Sequence, residues 1–213
     1  ILMFALLARL LWVAFSQWQP TPDDDAFRYD FTARALAAGR GYIHLNGEPT
    51  AFWPPGYPLL LAGAYQLFGP SRAVAQLMNA LIGTSTVGLV YLIGRRVLGP
   101  QHALVGAAVV AAFPSLIFFT AVTLSETAFT LFALLGIYLL LLEAKAGRRL
   151  DLRLLLPAGL ALGFASLVRG QALLLPLVAI PFWLRSGVPW PGAGEKLVAL
   201  ALGIGLIVAP WSI

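Results

Sequence analysis

Seven apolar runs separated by charged loops constrain what this 213-residue chain can fold into more than any other feature. They lie at approximately residues 1–18, 73–94, 102–119, 126–142, 152–168, 172–184 and 196–211. A perpendicular span needs about 20 apolar residues, so the short fifth and sixth runs are predicted to tilt or to form a hairpin that does not fully cross. Charged residues make up 11% of the chain, against about 25% in soluble domains. We therefore predict an all-α polytopic membrane protein with about seven transmembrane helices.

The orientation is predicted from the basic residues of the loops, because cytoplasmic loops are enriched in Lys and Arg. With a cytoplasmic N-terminus, the inner loops hold Arg95, Arg96, Lys145, Arg148, Arg149, Arg153, Arg185 and Lys196 against Glu143, Asp151 and Glu195, a net charge of +5. The outer segments hold five basic and six acidic residues, a net charge of −1. This bias places the first loop, residues 19–68, outside the membrane.

The chain is interpreted as a single transmembrane domain, residues 1–213, that is the N-terminal part of a longer protein whose C-terminal part is absent. The first run lacks a basic n-region and a small-residue cleavage site before Asp23, which favours a retained helix over a signal peptide. Nucleic-acid binding is not predicted, because the basic residues are split among short loops. Without cysteine, the chain has no disulfide, thiolate metal site or cysteine nucleophile.

The first loop is predicted to contain two interfacial helices. Asp24 or Asp25 can cap the first of them, which ends before Gly39. One face of that helix carries Phe27, Phe31, Ala35 and Ala38, so we expect it to lie along the membrane surface. The second is predicted from Pro58 to Phe68.

Asp23, Asp24 and Asp25 form the densest acidic cluster in a chain with nine acidic residues. One interpretation is a solvated loop and helix cap. The other is a general base at the outer end of a membrane helix, since proton abstraction from a hydroxyl needs an ionised carboxylate within hydrogen-bond reach. Adjacent carboxylates can also raise one another's pKa or bind a divalent cation.

Two stretches of the first loop form a distinctive pattern. The first reads Asp25-Ala26-x-x-Tyr29-x-x-x-Ala33-x-x-Leu36-x-x-Gly39-x-Gly41-Tyr42, and the second runs from Pro49 to Ala62. Together they resemble the first outer loop of GT-C glycosyltransferases, in the branch of protein mannosyltransferases, aminoarabinose transferases and related bacterial enzymes. Weaker matches follow at Ile93-Gly94-Arg95-Arg96, Leu124-Ser125-Glu126 and Leu167-Val168-Arg169. The resemblance covers almost the whole chain.

The resemblance implies a membrane enzyme that transfers a sugar from a polyprenyl-phosphate donor to a hydroxyl of a lipid, glycan or protein. Transfer would occur at the extracytoplasmic face of a bacterial inner membrane. An acid of the first outer loop would be the base. By spacing to Tyr29 and Ala33 the matching position is Asp25, with Asp24 as second choice. In-line attack at the anomeric carbon predicts inversion. Some relatives use a divalent metal ion and others do not, so a metal cofactor stays open.

Two arginines are candidate ligands of the carrier phosphate. Arg169 follows a short apolar run and either snorkels to the headgroups or binds the phosphate bidentately and stabilises the leaving group. Arg9 lies within the first run, where an ionisable residue is a functional hypothesis by default, unless it is simply near the cytoplasmic end of its helix.

Glu126 and Tyr29 complete the candidate substrate-binding set. Glu126 is either a first-turn acid favoured by the helix dipole after Ser125 or a second acid in the cavity of Asp25, binding a metal or sugar hydroxyls. Tyr29 either packs the surface helix or contacts substrate. His44 is a weaker candidate for a ligand or base, and Pro114 is predicted to kink the third membrane helix.

The alternative to an enzyme is a transporter or lipid-binding membrane protein that uses the same acids as a solute or cation site. A transporter should carry polar residues near mid-membrane on several helices, often with an inverted repeat. The runs here are mostly Leu, Ala and Val, which favours the enzyme. An inactive relative kept for assembly is a third possibility.

Overall fold

The computed structural model describes residues 1–145 and 150–211, which are helical apart from loops and an isolated antiparallel bridge between Ile43 and Pro49. The α-helices of these residues are α1 (Leu2–Phe15), α2 (Asp25–Ala37), α3 (Gly56–Phe68), α4 (Arg72–Val97), α5 (Pro100–Ala112), α6 (Pro114–Ala121), α7 (Glu126–Lys145), α8 (Leu152–Val168), α9 (Ala179–Arg185) and α10 (Trp190–Val208). Two 3₁₀ segments, Gly170–Val178 and Ala209–Trp211, precede α9 and follow α10. The all-α prediction is confirmed. Arg148 and Arg149, two of the predicted inner-loop charges, lie outside the described residues.

Seven apolar helical segments of the described chain match the seven predicted runs. Helices α4, α7 and α10, the last with its 3₁₀ extension, are long and apolar enough to cross a membrane. A fourth span is formed if α5 and α6 count as one bent helix. The remaining three, namely α1, α8 and Gly170–Arg185, are 10–17 residues long. The fold is thus a polytopic membrane fold with three or four spans of full length.

The bend between α5 and α6 lies where Pro114 was predicted to kink the third membrane helix. The two helices differ in direction by 47°. Proline has no N–H and its ring clashes with the preceding turn, which ends α5 at Ala112. The predicted kink is confirmed.

Contacts divide the chain into two compact units, residues 1–131 and 132–213. In the first, α4 is the central helix and packs against α1, α3, α5 and α6. Small and branched side chains form its core, namely Ala5, Val87, Ala107 and Ala111. A tight turn at Gly99, with φ of 87°, brings α5 back along α4.

Helix α2 buries one face within the first unit. The buried side chains are Ala26, Tyr29, Thr32, Ala33 and Ala35, and this face packs against α3. Of the residues predicted to lie along the membrane surface, Phe27 and Phe31 are half-buried, Ala35 is buried and Ala38 is exposed, and that placement stays a prediction. The small side chains on the buried face let α2 and α3 pack closely. Helix α3 begins two residues before the predicted Pro58.

The second unit is built on the close approach of α8 and α10. A Cβ at Gly159 would lie 2.5 Å from the carbonyl oxygen of Leu200, and one at Gly203 would lie 2.7 Å from that of Leu156. Gly163, four residues after Gly159, approaches Ile204 in the same way. Small residues at this spacing let membrane helices pack backbone to backbone.

A buried ion pair also stabilises the second unit. Lys196 of α10 pairs with Glu143 of α7, and Trp183 of α9 donates its indole N–H to the other carboxylate oxygen at 2.7 Å. All three side chains are at most 1% exposed. Both charges were counted among the inner-loop residues, but they cancel, so the net +5 that predicts the orientation is unchanged.

Candidate active site

The acidic segment lies between α1 and α2, at the mouth of an open cleft of about 450 Å³. Asp23, Asp24 and Asp25 line this cleft. The rest of its wall comes from Trp18, Ala26, Phe118, Val122 and Leu124. The wall of the cleft therefore combines carboxylates of the first loop with apolar side chains of α6 and of the segment that follows it.

The neighbouring aspartates have different surroundings. Asp24 occupies the N-cap position of α2, but its side chain turns back and accepts hydrogen bonds from the N–H and hydroxyl of Thr21, both at 2.9 Å. These bonds lower the pKa of Asp24 below its ordinary value. Asp25 is exposed at the first position of α2. It lines the cleft, and its carboxylate makes no hydrogen bond or ion pair with any residue in the described ranges.

Polar side chains of α4 fix the far wall of the cleft. The Asn79 amide donates to the carbonyl of Val122 at 3.1 Å, and Gln76 donates to that of Ala121 at 3.0 Å. Asn79 also accepts from the hydroxyl of Tyr57 at 3.2 Å, which ties α3 to the same point. On the other side, the Trp12 indole donates to the carbonyl of Phe118 at 3.3 Å. The end of α6 is thereby held to α1 and α4.

Arg9 and Glu126 line one narrow cavity of about 10 Å³, together with Gly83, Thr86, Leu116, Phe119, Thr127 and Thr130. That volume is about what a single water molecule occupies. Residues 116–127 contribute to both this cavity and the cleft. Glu126 is not among the residues that line the cleft of Asp25, and its predicted role beside that acid stays a prediction.

Arg9 is fully buried in the middle of α1 rather than at either end of that helix. Its Nη1 donates to the carbonyl oxygens of Ala5 at 3.0 Å and of Ala111 at 3.4 Å. Arg169 belongs to the second unit, where it follows the last residue of α8 and is half-buried. Their predicted roles at the carrier phosphate stay predictions.

Tyr29 is 7% exposed and lies between α2 and α3. Its ring makes edge contacts with Tyr57 at 5.5 Å and with Trp53 at 6.3 Å between centroids. Trp53 in turn accepts, through its carbonyl, a hydrogen bond from the Tyr42 hydroxyl at 2.9 Å. This aromatic cluster stabilises the first loop, and the predicted substrate contact of Tyr29 stays a prediction. His44 lines a separate small pocket with Arg28.

The sequence did not decide whether the protein binds a metal ion. Within residues 1–145 and 150–211, no three His, Cys, Asp or Glu side chains are grouped to hold a metal ion. Among the described residues that line the cleft, the carboxylates are those of Asp23, Asp24 and Asp25.

The sequence analysis missed the polar stripe of α4, which carries Gln76, Asn79, Gly83 and Thr86. These residues recur at intervals of three and four, so they share one helix face. Gln76, Asn79 and Thr86 are all buried. The signal was available, because amides within an apolar run are costly in a membrane unless they are bonded.

Comparison with known proteins agrees with this architecture. The structure resembles the crystal structure of ArnT from Cupriavidus metallidurans bound to undecaprenyl phosphate, with a TM-score of 0.76 and 20% sequence identity. The match covers 99% of this chain and 40% of that one, so the chain spans less than half of that protein. No curated protein sequence matches the chain.

The family assignment comes from the sequence of residues 53–213, a range that begins after the acidic segment. These residues match the sequence profile of one family and make up more than half of the chain. The chain belongs to the family described as dolichyl-phosphate-mannose-protein mannosyltransferase.

Proposed function

We propose that the full protein transfers a sugar from a polyprenyl-phosphate carrier to an acceptor hydroxyl at the extracytoplasmic side of the membrane. Family membership supports a lipid-phosphate-dependent glycosyltransferase. The structural match to a protein that binds undecaprenyl phosphate, a polyprenyl phosphate, supports the class of carrier. The charge bias of the loops supports an outward-facing cleft.

Asp25 is the proposed base, and the single observation that carries this assignment is its unengaged carboxylate at an open cleft. A general base must reach the hydroxyl proton that it abstracts. Asp24 is the weaker candidate because Thr21 already donates two hydrogen bonds to it, and these stabilise the ionised form. In the proposed step, Asp25 takes the proton while the acceptor oxygen attacks the anomeric carbon in line. The carrier phosphate leaves with the electrons of the broken glycosidic bond, so the configuration at the anomeric carbon is inverted.

Arg169 is the proposed ligand of the carrier phosphate. A guanidinium matches phosphate bidentately and stabilises the negative charge that develops as the glycosidic bond breaks. Its position at the end of α8, half-buried after an apolar helix, supports this role. Tyr29 is proposed to act indirectly, by holding α2 against α3.

The experiment measures sugar transfer by the full-length protein in proteoliposomes that contain a polyprenyl-phosphate sugar. We expect Asp25→Asn to lower kcat by about 100-fold or more, within the range of general-base catalysis. Asp24→Asn should retain most of the rate. Equal loss in both variants would reject the choice of Asp25. Solute uptake into the vesicles, without transfer from any carrier, would instead favour a transporter.

A further inference from the structure

The break between α5 and α6 leaves a backbone carbonyl without its usual helical partner. Within the described residues, Ala111 lies at the last turn of α5, and the chain continues through Phe113 into a new helix at Pro114. Inside a membrane such freed groups must be bonded by neighbouring elements. The carbonyl end of a helix also favours a positive charge.

Arg9 of α1 supplies both the donor and the charge at this break. Its guanidinium, 0% exposed, donates from Nη1 to the Ala111 carbonyl and also to Ala5 in its own helix. Glu126 lines the same cavity. A buried arginine is costly unless such partners surround it.

The Arg9 side chain fits because position 83 of α4 is glycine. A Cβ at Gly83 would lie 2.7 Å from Arg9 Nε and 3.3 Å from its Cδ. The first distance is well below van der Waals contact, so any larger residue would force the guanidinium away from the break. The absence of a side chain at Gly83 therefore lets the Arg9 guanidinium reach the break.

We propose that Arg9 is a positioning residue, which holds the 47° break of the α5–α6 span and thereby sets the wall that α6 contributes to the Asp25 cleft. Phe118, Val122 and Leu124, which follow the break, line that cleft. The inference rests on the proposed function for its effect on turnover, but not for its effect on the bend. It is an alternative to phosphate binding by Arg9, since the cavity that Arg9 lines is only about 10 Å³ in volume.

The test compares Arg9→Met, Arg9→Lys and Gly83→Ala with Gly88→Ala as the matched control on the same helix. A Cβ at Gly88 would meet only Leu2 Cδ2, at an ordinary 3.7 Å. Each variant is made in the full-length protein in a background without other cysteines. Spin labels at Gln101→Cys and Ser115→Cys, both exposed, report the distance across the break. Turnover, KM for the sugar carrier and Kd for polyprenyl phosphate are measured in parallel.

We expect Arg9→Met and Gly83→Ala to shift or broaden the label distance and to lower kcat by about 10- to 100-fold, since small misplacements of a site cost that much. The Kd for polyprenyl phosphate should stay within about twofold, because the guanidinium does not touch the carrier. Arg9→Lys, which keeps the charge, should recover part of the rate and of the bend. Gly88→Ala should behave as the wild type.

Two results would overturn the proposal. An unchanged label distance in Arg9→Met would show that Arg9 does not hold the break. If Arg9→Met weakened the binding of polyprenyl phosphate and left the bend intact, Arg9 would instead be a ligand of the carrier phosphate. The label distance can be measured without turnover. If the wild-type protein transfers no sugar, the proposed function is rejected, but the distances still show whether Arg9 holds the break.

Discussion

Thr21 donates two hydrogen bonds to Asp24, from its N–H and its hydroxyl, each at 2.9 Å. Asp25, the next residue, accepts none from any described residue. Two adjacent acids therefore differ in whether neighbouring groups already occupy the carboxylate. This difference separates the structural aspartate from the proposed base and can be tested by titration.

The pH dependence of transfer should be insensitive to Thr21. The bonds from Thr21 lower the pKa of Asp24, so this group stabilises the fold above its unfolded pKa, and the stabilisation is lost as pH falls through the folded pKa. Thr21→Val removes the hydroxyl bond and should raise the Asp24 pKa part of the way back. If Asp25 is the base, the acid limb of the kcat–pH profile stays in place. Thr21→Ser, which keeps a hydroxyl, is the control, and a limb that moves to higher pH only in Thr21→Val would identify Asp24 as the base.

Asn79 should be needed for the cleft wall as well as for stability. Asn79→Leu removes the bond to Val122 and leaves the Tyr57 hydroxyl without its acceptor. A buried polar group that loses its partner costs about 1–3 kcal/mol, so the melting temperature in detergent should fall and kcat with it. Ser85→Ala is the matched control on α4, since Ser85 is exposed and bonds only to the Leu81 carbonyl of its own helix. A variant with normal kcat would show that the wall does not depend on Asn79.

The buried pair of Glu143 and Lys196 should respond non-additively to substitution. Removing one partner leaves the other charge buried, which costs about 3–5 kcal/mol. Glu143→Gln and Lys196→Met should each lower the unfolding temperature strongly, whereas the double variant should lose much less than the sum. Glu195→Gln, at the exposed neighbouring position, is the control. Additive losses in this double-mutant cycle would mean that the two charges are not coupled.

The sequence predicted the class and segmentation of this fold well because hydropathy and proline act locally. The seven apolar runs and the break at Pro114 can be predicted from the local sequence alone. The face of α2 that packs against α3 could not be predicted from the sequence, because it depends on which surface of α3 it contacts. Helix α4 shows the same limit, since its amides were visible but their acceptors at Ala121 and Val122 lie more than 40 residues away.

The candidate site divides in the same way. Spacing to Tyr29 favoured Asp25, but the sequence could not separate it from Asp24, because that distinction depends on a turn back to Thr21. Arg9 was singled out as an ionisable residue within a span. Its buried position depends on Gly83 and on the carbonyl of Ala111, which are remote in sequence.

The contact of α8 with α10 gives the most direct test of packing in the second unit. Gly159→Ala would place a Cβ 2.5 Å from the Leu200 carbonyl oxygen, and Gly203→Ala one 2.7 Å from that of Leu156. Backbone atoms cannot move aside as a flexible side chain can, so each variant should cost about 1–3 kcal/mol by overpacking. Thermal unfolding in detergent measures the loss. Gly205→Ala, on the same α10 helix with no atom within 4 Å of its added Cβ, should leave the unfolding temperature unchanged or raise it slightly, because alanine favours helix over glycine. If Gly159→Ala unfolds at the wild-type temperature, the two helices do not pack through these glycines in the membrane protein.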